Sequence, residues 1–359
     1  MNLYARIAEL ADRGCRFCAA VVLAAEGSTP RGAGTRAVLD ETGRILGTVG
    51  GGVVEAETQR RAIEVCRSGE ACVFGVELSG EAAADCGAIC GGRVRLLLDP
   101  TAAKDRAAYA EAAAAQSERR RGVLLTALRR GAATDTQVTW LAETGFLDAT
   151  TTPAPADPAV VPGCLREGRP RLVPAAETAP ATSTEVFVEP VIPNPLLVIA
   201  GGGHVGQALA AQALLVGFDV TVVDDRPEFA ARELFPDGVQ THCGDIGALV
   251  GEHARGNDAY VVIVTRGHQH DAEALKACIG QPVAYIGMIG SRRKVALIRE
   301  SFVAAGLATA EQFDAVHAPI GLDIGAETVS EIVASIVAEL IAVRRKVRDR
   351  PSLGLGSRV

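Results

Sequence analysis

Two cysteines four residues apart could carry chemistry. They stand in the segment DCGAICGGR at positions 85–93, directly ahead of the apolar run VRLLL. Cys86 and Cys90 could be buried small hydrophobes, metal ligands, a disulfide or carriers of sulfur, because a thiolate is both a nucleophile and a ligand for soft metals. The chain has nine cysteines, an odd number scattered along it, which is not the pattern of a disulfide framework.

A glycine-rich turn offers a different chemistry in the C-terminal half. Gly201, Gly203 and Gly206 form G-x-G-x-x-G after the apolar run LLVIA and ahead of a helical stretch that starts near His204. In this arrangement, backbone N–H groups at a helix start can hold a pyrophosphate. The next apolar run ends about twenty residues further on in Asp224 and Asp225, where a carboxylate could meet a ribose hydroxyl.

Polar residues also follow two later apolar runs. His268, His270 and Asp271 come after YVVIVT, and the basic segment SRRK at 291–294 comes after AYIGMIG. The carboxyl ends of parallel strands lie at one edge of a sheet, where ligands of such folds bind. A His/His/Asp metal site is one interpretation of the first group.

The segment SRRK can be interpreted in two ways. Ser291 can cap a helix, which places Arg292, Arg293 and Lys294 in its first turn. Cations at a helix N-terminus are unfavourable unless an anion is near. SRRK is therefore either a phosphate site or a solvated run of charge, and the sequence favours neither for any one side chain.

Two more glycine-rich loops precede the cysteine segment. In STPRGAGTR, Ser28 and Pro30 lead to Arg31, whose guanidinium could hold a phosphate through two hydrogen bonds. In GTVGGGVVEAE, the glycines 50–52 open a helix and offer a nest of N–H groups for an anion. Glu55, on the first turn of that helix, either contacts a ligand or complements the helix dipole.

The elements that must position these residues follow two patterns. In the N-terminal half, short strands and turns surround the helix that follows GGG. From residue 196, strands alternate with helices, which predicts a doubly wound parallel sheet that includes the segment AVHAP. The proline-rich stretch at 150–195 is typical of surface segments and a linker. We predict an N-terminal α/β domain over 1–190, with its core at 1–100, and a Rossmann-like domain over 191–359.

Composition excludes several classes of protein. The hydrophobic share of 48% indicates a globular chain, and the net charge of −7 argues against a general nucleic-acid binder. No apolar run is long enough to cross a membrane, and the amphipathic first helix is charged, unlike a signal peptide. We therefore expect a cytoplasmic protein whose thiols stay reduced.

Together the motifs resemble the XdhC/CoxI family of maturation factors for molybdenum-containing xanthine and carbon monoxide dehydrogenases. The matching segments of the first half are GSTPRGAGTR, GTVGGGVVEAE and ICGGRVRLLLDP. Those of the second half are GGGHVGQALA, VVDDRPE, TRGHQHD, YIGMIGSRRK and PIGLDIGAETVSEIVASIVAE. They cover most of the chain except roughly 100–185. Val53 stands where some relatives have cysteine, and Val329 where proline is usual.

The resemblance implies a cofactor chaperone rather than a turnover enzyme. Such a protein binds the molybdenum cofactor, which is molybdopterin or its dinucleotide form, and favours its sulfuration by a partner cysteine desulfurase. It then delivers the cofactor to an apo-molybdenum hydroxylase. We place Cys90, the cysteine of CGG, near the molybdenum, where it could ligate the metal, hold a persulfide or only shape the loop, with Cys86 as a second thiol. A homodimer is a further option.

The residues and the resemblance together define one set of expected cofactor contacts. They are Ser28, Pro30, Arg31, Gly50, Gly51, Gly52, Glu55, Gly201, Gly203, His204, Gly206, Asp224, Arg226, His268, His270, Asp271, Ser291, Arg292, Arg293, Lys294 and Asp323. The alternative function is an NAD(P)-dependent oxidoreductase, for which GGGHVG and Asp224 would be ordinary cofactor residues. Against it, no Tyr-x-x-x-Lys or similar proton-donor pair accompanies the crevice residues.

A zinc site is a weaker alternative for the thiols. Cys15 and Cys18 form C-x-x-C, but this pair overlaps the start of an apolar strand, where alternation separates the two side chains. A tetrahedral zinc site needs four ligands. Nothing else in this region of the sequence supports such a set.

Overall fold

The structure, a computed structural model, describes residues 2–78, 91–130, 134–146, 159–175 and 183–345. Its backbone forms two compact units, Met1–Pro193 and Asn194–Val359. Cys86 and Cys90 lie outside the described residues. None of the helices in the described part of the chain is long and apolar enough to cross a membrane.

In its described part, the first unit combines two antiparallel sheets with helices. The strands are β1 (Phe17–Glu26), β2 (Arg36–Asp40), β3 (Ile45–Gly47), β4 (Cys72–Glu77), β5 (Arg93–Asp99), β6 (Gly122–Arg130), β7 (Thr134–Ala142), β8 (Arg171–Pro174) and β9 (Ser183–Val191). The helices are α1 (Leu3–Asp12), α2 (Gly52–Ser68), α3 (Arg106–Ser117) and α4 (Val160–Glu167). The sheet orders are β3-β2-β1-β5-β4 and β7-β6-β9-β8.

Strand β1 is apolar along most of its length because both of its faces are buried. Cys18, Ala20 and Val22 belong to a core cluster that includes residues of α2. Phe17 and Ala19 belong to another cluster, which includes residues of α1 and α3. Successive side chains of a strand point to opposite faces, so a central strand covered on both sides needs an unbroken apolar run. The loop that starts at Gly27 therefore follows a strand that is packed on both faces.

The second unit is built on a parallel sheet. Its strands are β10 (Leu196–Ala200), β11 (Asp219–Asp224), β12 (Val239–Cys243), β13 (Ala259–Ile263) and β14 (Tyr285–Met288). Its helices are α5 (His204–Leu215), α6 (Ile246–His253), α7 (His268–Cys278), α8 (Arg292–Ala304), α9 (Ala310–Asp314) and α10 (Val329–Arg344). The strand order is β12-β11-β10-β13-β14, with every pair parallel.

This sheet is the predicted doubly wound one, covered by helices on both faces. Residues of α5 and α10 form one core cluster with the strands, and residues of α6, α7 and α8 form the other. The chain leaves β10 toward β11 on one side and later returns to β13 on the other. Strand order therefore reverses between β10 and β13, and ligands of such sheets bind in the crevice at that point.

The prediction that AVHAP forms a strand is wrong, because the segment does not extend into a full strand of the sheet. The segment makes one isolated parallel bridge, between Gly287 and His317. Pro319 has no N–H to continue a ladder, and the chain then turns through Gly321, whose φ is +94°. The last helix begins at Val329, where Thr328 and Glu331 form a capping box.

Candidate functional site

The three glycines at the start of α2 are required by the backbone conformation. Gly50, Gly51 and Gly52 have φ values of +135°, +75° and +51°, a range that other residues rarely adopt. A Cβ at Gly51 or Gly52 would meet nothing within 4 Å. Gly51 is the N-cap of α2 and supplies no side-chain hydrogen bond to it. The helix start therefore combines backbone N–H donors with open space, as an anion site requires.

Glu55 holds this turn together. Its Oε1 accepts hydrogen bonds from the Thr48 hydroxyl at 2.5 Å and from the Val49 N–H at 3.4 Å. The Gly50 N–H in turn donates to the Thr48 hydroxyl at 3.2 Å. Glu55 thus braces the glycine turn from within, and this contact, rather than a ligand, occupies Oε1.

The loop 27–34 lies against the glycine turn. A Cβ at Gly50 would be 3.0 Å from Pro30 Cγ and 3.9 Å from Arg31 Cβ. Arg31 and Ser28 are exposed. The Arg31 guanidinium therefore extends from a point beside the uncapped start of α2, where a second contact to an anion would be useful.

The residues that follow Cys90 are packed against the same loop. A Cβ at Gly27 would be 2.8 Å from the Gly91 carbonyl oxygen, and a Cβ at Gly92 would be 2.4 Å from the Ser28 carbonyl oxygen. Glycine is needed at these two positions because the backbones touch. The three glycine-rich segments of the first half, 27–34, 50–52 and 91–92, therefore converge in space.

The glycines of the turn in the second unit have different surroundings: Gly201 and Gly206 are packed against backbone atoms, whereas Gly203 borders open space. A Cβ at Gly201 would be 2.5 Å from the Val264 carbonyl oxygen, and one at Gly206 would be 1.9 Å from the Gly201 carbonyl oxygen. A Cβ at Gly203 would meet nothing within 4 Å, although Gly203 has an ordinary φ of −71°. Gly203 is the N-cap of α5 and gives it no side-chain hydrogen bond, and His204 is exposed. The fold itself gives no reason for glycine at 203, whereas a closely approaching pyrophosphate does.

We expect Gly203→Ala and Gly206→Ala to have different effects. Gly206→Ala forces a methyl group into the Gly201 backbone and should lower the melting temperature of the protein by several degrees. Gly203→Ala should leave the melting temperature nearly unchanged and weaken the binding of pyrophosphate. Calorimetry and pyrophosphate titration check both results, and an equal loss of stability in the two variants would contradict the assignment of open space to Gly203.

Asp224 links the glycine turn to Arg226 through hydrogen bonds. The residue is 1% exposed. Its Oδ1 accepts hydrogen bonds from the backbone N–H and from the Nε of Arg226. Its Oδ2 accepts hydrogen bonds from the Gly202 N–H at 2.8 Å and from Arg226 Nη2 at 3.0 Å. Burial alone would raise the pKa of Asp224, but the hydrogen bonds from Arg226 and Gly202 outweigh it and lower the pKa. Both oxygens are engaged, which leaves little capacity for a ribose hydroxyl.

Asp225, the second carboxylate at the end of β11, has a partner that sequence reasoning missed, Arg266. Asp225 follows β11 and accepts a hydrogen bond from Arg266, which follows β13, at 2.7 Å. This ion pair joins the ends of two strands that flank β10. The only sequence signal for Arg266 was its position just beyond an apolar run.

His268, His270 and Asp271 do not converge on a metal. Asp271 is 0% exposed and accepts a hydrogen bond from the Thr265 hydroxyl at 2.6 Å. His270 Nδ1 lies 3.1 Å from Glu273 Oε2, and His268 is exposed. Residues two positions apart on a helix point in different directions. Among the described residues, no group of three or more His, Cys, Asp or Glu side chains is placed to hold a metal ion.

The basic residues of the segment SRRK lie in two different environments, one against a buried carboxylate and one exposed to solvent. Ser291 caps α8 by accepting a hydrogen bond from the Lys294 N–H at 3.3 Å. The Lys294 ammonium pairs with the buried Asp271 carboxylate. Arg292 and Arg293 remain exposed on the first turn. Lys294 therefore stabilises the fold, and the two arginines are the residues of this segment that are accessible to an anion. Asp323 is exposed in the segment ahead of α10.

Two stretches of the chain match known families. Residues 197–340 match the XdhC Rossmann domain, and residues 10–76 match the XdhC and CoxI family. The chain is 27% identical over 328 residues to Uncharacterized protein YqeB of Escherichia coli K12, an alignment that covers 91% of this chain and 43% of that protein. It is 30% identical over 145 residues to a probable xanthine dehydrogenase subunit of Bacillus subtilis 168, covering 40% of this chain and 42% of that protein. The chain thus spans less than half the length of these two relatives.

The fold also matches a solved structure. A crystal structure described as a xanthine dehydrogenase from Bacillus halodurans superimposes with a TM-score of 0.74, covers 98% of each chain and is 22% identical in sequence. At this identity the match establishes a shared fold. It extends over both units of the chain.

Proposed function

Because the chain belongs to the XdhC and CoxI family, we propose that it is a maturation factor for a molybdenum hydroxylase of the xanthine dehydrogenase, aldehyde oxidoreductase or carbon monoxide dehydrogenase type. It binds the molybdenum cofactor as cargo, supports its sulfuration by a cysteine desulfurase and delivers it to the apo-hydroxylase. The role is binding and delivery in the cytoplasm, without obligatory turnover. A second copy of the chain is a further candidate partner.

The convergence of 27–34, 50–52 and 91–92 carries this function. The cargo presents a phosphate and a metal held by sulfur, so its site needs N–H donors, a cation and a soft ligand. The uncapped start of α2 and the exposed Arg31 fit the phosphate. The backbone contacts of Gly91 and Gly92 lie beside this anion site, and Cys90 directly precedes these two glycines in the chain. The residues present therefore fit the cargo.

The second unit suits a nucleotide-type phosphate at Gly203 and His204. In the dinucleotide form of the cofactor, the added nucleotide supplies such a group. Free NAD(P) is the alternative, and with it an oxidoreductase. The engagement of both Asp224 oxygens weighs against that alternative, because the carboxylate expected to recognise the ribose is already bonded to Gly202 and Arg226.

The names of two similar proteins support a client of the xanthine dehydrogenase type. One curated relative is named as a probable xanthine dehydrogenase component, and the matching crystal structure is described as a xanthine dehydrogenase. An enzyme of this type needs a sulfurated cofactor before it is active. We therefore place the chain between the cysteine desulfurase and the apo-hydroxylase.

Cofactor retention tests this function. The full chain is mixed anaerobically with molybdenum cofactor released from a hydroxylase, passed through a desalting column and assayed for bound molybdenum and pterin. We expect wild type to retain cofactor and Cys90→Ser to retain at least about tenfold less. Cys243→Ser is the matched control, because Cys243 is an exposed free cysteine of the second unit. Parallel titrations use NAD and NADP. Hydride transfer with either nucleotide, without cofactor retention, would overturn the proposal in favour of an oxidoreductase.

A further inference from the structure

A polar cavity lies between the two sheets of the first unit. Its volume is about 630 Å³, within the range of about 300–1,000 Å³ that is typical of small-molecule sites. Strands of both sheets contribute to its lining, and the residues that matter for its chemistry are Ala24, Glu26, Val73, Arg93, Arg95 and Leu172. We call it the inter-sheet cavity.

The cavity begins where the apolar contact between the sheets ends. Val21 and Leu97 of the first sheet pack in one core cluster with Phe187 of the second. Arg95 lies two residues before Leu97 on the same face of β5, and it donates two hydrogen bonds to Glu185 of β9, at 2.8 and 2.6 Å. Polar side chains therefore replace apolar ones between the sheets at this end, and the cavity lies beside this ion pair.

Small residues leave room in the inter-sheet cavity. Ala24 of β1 and Gly75 of β4 are the cross-strand neighbours of Arg95. A Cβ at Gly75 would be 3.8 Å from Arg93 Nε and 3.9 Å from Arg93 Nη2. The Arg93 guanidinium thus lies over this glycine, although Glu77 is the direct neighbour of Arg93 on β4. Its N–H donors are therefore available at the cavity wall.

Glu26 is the carboxylate on the other side of this arginine. Glu26 and Arg93 are directly opposite each other in β1 and β5, and both side chains are exposed. In the part of the chain that the structure describes, neither side chain forms a hydrogen bond or an ion pair. A carboxylate acceptor and a guanidinium donor therefore line the cavity side by side, and both can bind a ligand.

We propose that the inter-sheet cavity binds the 2-amino-4-oxopyrimidine edge of a planar bicyclic heterocycle, with Glu26 and Arg93 as the residues that recognise it. This edge presents an amino N–H, a ring N–H and a carbonyl oxygen in a row. The Glu26 carboxylate accepts hydrogen bonds from the two N–H groups, and the Arg93 guanidinium donates to the oxygen. Ala24, Val73 and Leu172 supply apolar contact to the ring.

The pterin of the molybdenum cofactor carries this edge, and guanine carries the same one. The assignment to pterin rests on the proposed function. It is favoured by position, because Glu26 directly precedes Gly27 and Arg93 directly follows Gly92 in the chain. These are the two glycines at which the segments of the candidate cargo site touch. The inter-sheet cavity is therefore next to that site.

Titration of the full chain with pterin and with lumazine tests this proposal. Lumazine is the same bicycle with a carbonyl group in place of the 2-amino group, and the fluorescence of both compounds reports binding. We expect wild type to bind pterin at least about tenfold more tightly, because lumazine turns an oxygen toward the Glu26 carboxylate. Glu26→Gln should lose this preference, since its amide can donate to that oxygen. Arg93→Met should weaken both ligands alike, because both keep the 4-oxo group.

Glu77→Gln is the matched control, because Glu77 is the other cross-strand neighbour of Arg93 but is not one of the residues that line the cavity. It should prefer pterin as strongly as wild type does. Equal affinity of wild type for pterin and lumazine, or the same loss of preference in Glu77→Gln and Glu26→Gln, would overturn the proposal. Guanosine monophosphate bound more tightly than pterin would overturn the assignment to pterin in favour of guanine.

The desalting assay for bound molybdenum separates this proposal from the proposed function. Loss of both pterin preference and retained molybdenum in Glu26→Gln would support the two together. Selective binding of pterin by a chain that retains no cofactor would support the inter-sheet cavity and contradict the proposed function. Retention of cofactor by a wild-type chain that does not bind pterin would overturn the cavity assignment and leave the proposed function standing. Circular dichroism of each variant verifies that the fold is retained.

Discussion

Gly92→Ala should lower cofactor retention at least about tenfold, while Gly91→Ala leaves it unchanged. A Cβ at Gly92 would lie 2.4 Å from the Ser28 carbonyl oxygen and 2.9 Å from the Glu26 carbonyl oxygen. Both obstacles are backbone atoms, which cannot rotate away as a flexible side chain could. The added methyl group must therefore push the end of the cysteine segment away from the loop 27–34, and overpacking of this kind costs roughly 1–3 kcal/mol of stability.

Gly91 is the matched control for this change. It is the adjacent residue, and a Cβ there would meet nothing within 4 Å. Its φ is not in the left-handed region, so alanine is compatible with its backbone. The desalting assay for bound molybdenum and pterin measures both variants, with circular dichroism to verify folding. If Gly92→Ala retains as much cofactor as wild type, the contact with Ser28 does not position the site. If both variants lose cofactor, the effect comes from replacing glycine itself and not from the contact with Ser28.

The elements with strong apolar patterns could be predicted from the sequence. The apolar runs VRLLL and LLVIA lie in the strands β5 and β10, because a buried strand must be apolar on at least one face. Short polar elements could not. β12 reads VQTHC and β8 reads RLVP, and both are held by pairing with a neighbouring strand. α4 lies in the proline-rich stretch, where Pro162 occupies its first turn, a position that tolerates proline.

The two glycine turns ahead of helices could be predicted because glycine spacing is a local signal. The partners of the charged side chains could not, because they depend on tertiary contacts. Lys294 was expected to face an anion, and it pairs instead with Asp271, 23 residues away in the chain. Asp224 was expected to face a ribose, and it is bonded to Gly202, 22 residues away. In both cases a carboxylate at the edge of the sheet is satisfied by the protein itself.

The convergence at Gly92 also could not be read from sequence. GSTPRGAG and CGGR are separated by β2, β3, α2 and β4, and each motif is consistent with an isolated turn. The antiparallel pairing of β1 with β5 brings Glu26 opposite Arg93. This register places the residues just beyond each strand, Gly27 and Gly92, side by side. Strand pairing, rather than either motif, builds the candidate site.

The largest loss of stability is expected from breaking the ion pair between Arg36 and Glu189. Arg36 lies in β2 and Glu189 in β9, and each side chain is 5% exposed. Glu189 Oε1 accepts from Arg36 Nε at 3.3 Å and from the Tyr4 hydroxyl at 2.9 Å, and Oε2 pairs with Arg36 Nη2. Burial alone would lower the pKa of Arg36, but the Glu189 carboxylate outweighs it and raises that pKa. The pair joins the two sheets of the first unit.

Glu189→Gln leaves the Arg36 guanidinium buried without a counter-charge, which should cost about 3–5 kcal/mol of unfolding free energy. The double variant Arg36→Met with Glu189→Met removes both charges and should lose less than Glu189→Gln, because no charge is left unpaired. Trp140 is the only tryptophan of the chain and packs against the core cluster of the first unit that includes Tyr109 and Val191. Its fluorescence in a urea titration therefore reports unfolding of this unit.

Asp12→Asn serves as the comparison, since it removes one partner of the exposed pair between Asp12 and Arg106. Solvent and salt screen such a pair, so we expect this variant to shift the urea midpoint far less than Glu189→Gln does. Equal shifts in these two variants would show that water reaches the pair between the sheets. If the double variant is as unstable as Glu189→Gln, the loss of stability comes from lost packing against Tyr4 and Tyr109 and not from an unpaired charge. The ring centroids of these two tyrosines lie 5.8 and 5.7 Å from the Arg36 guanidinium carbon.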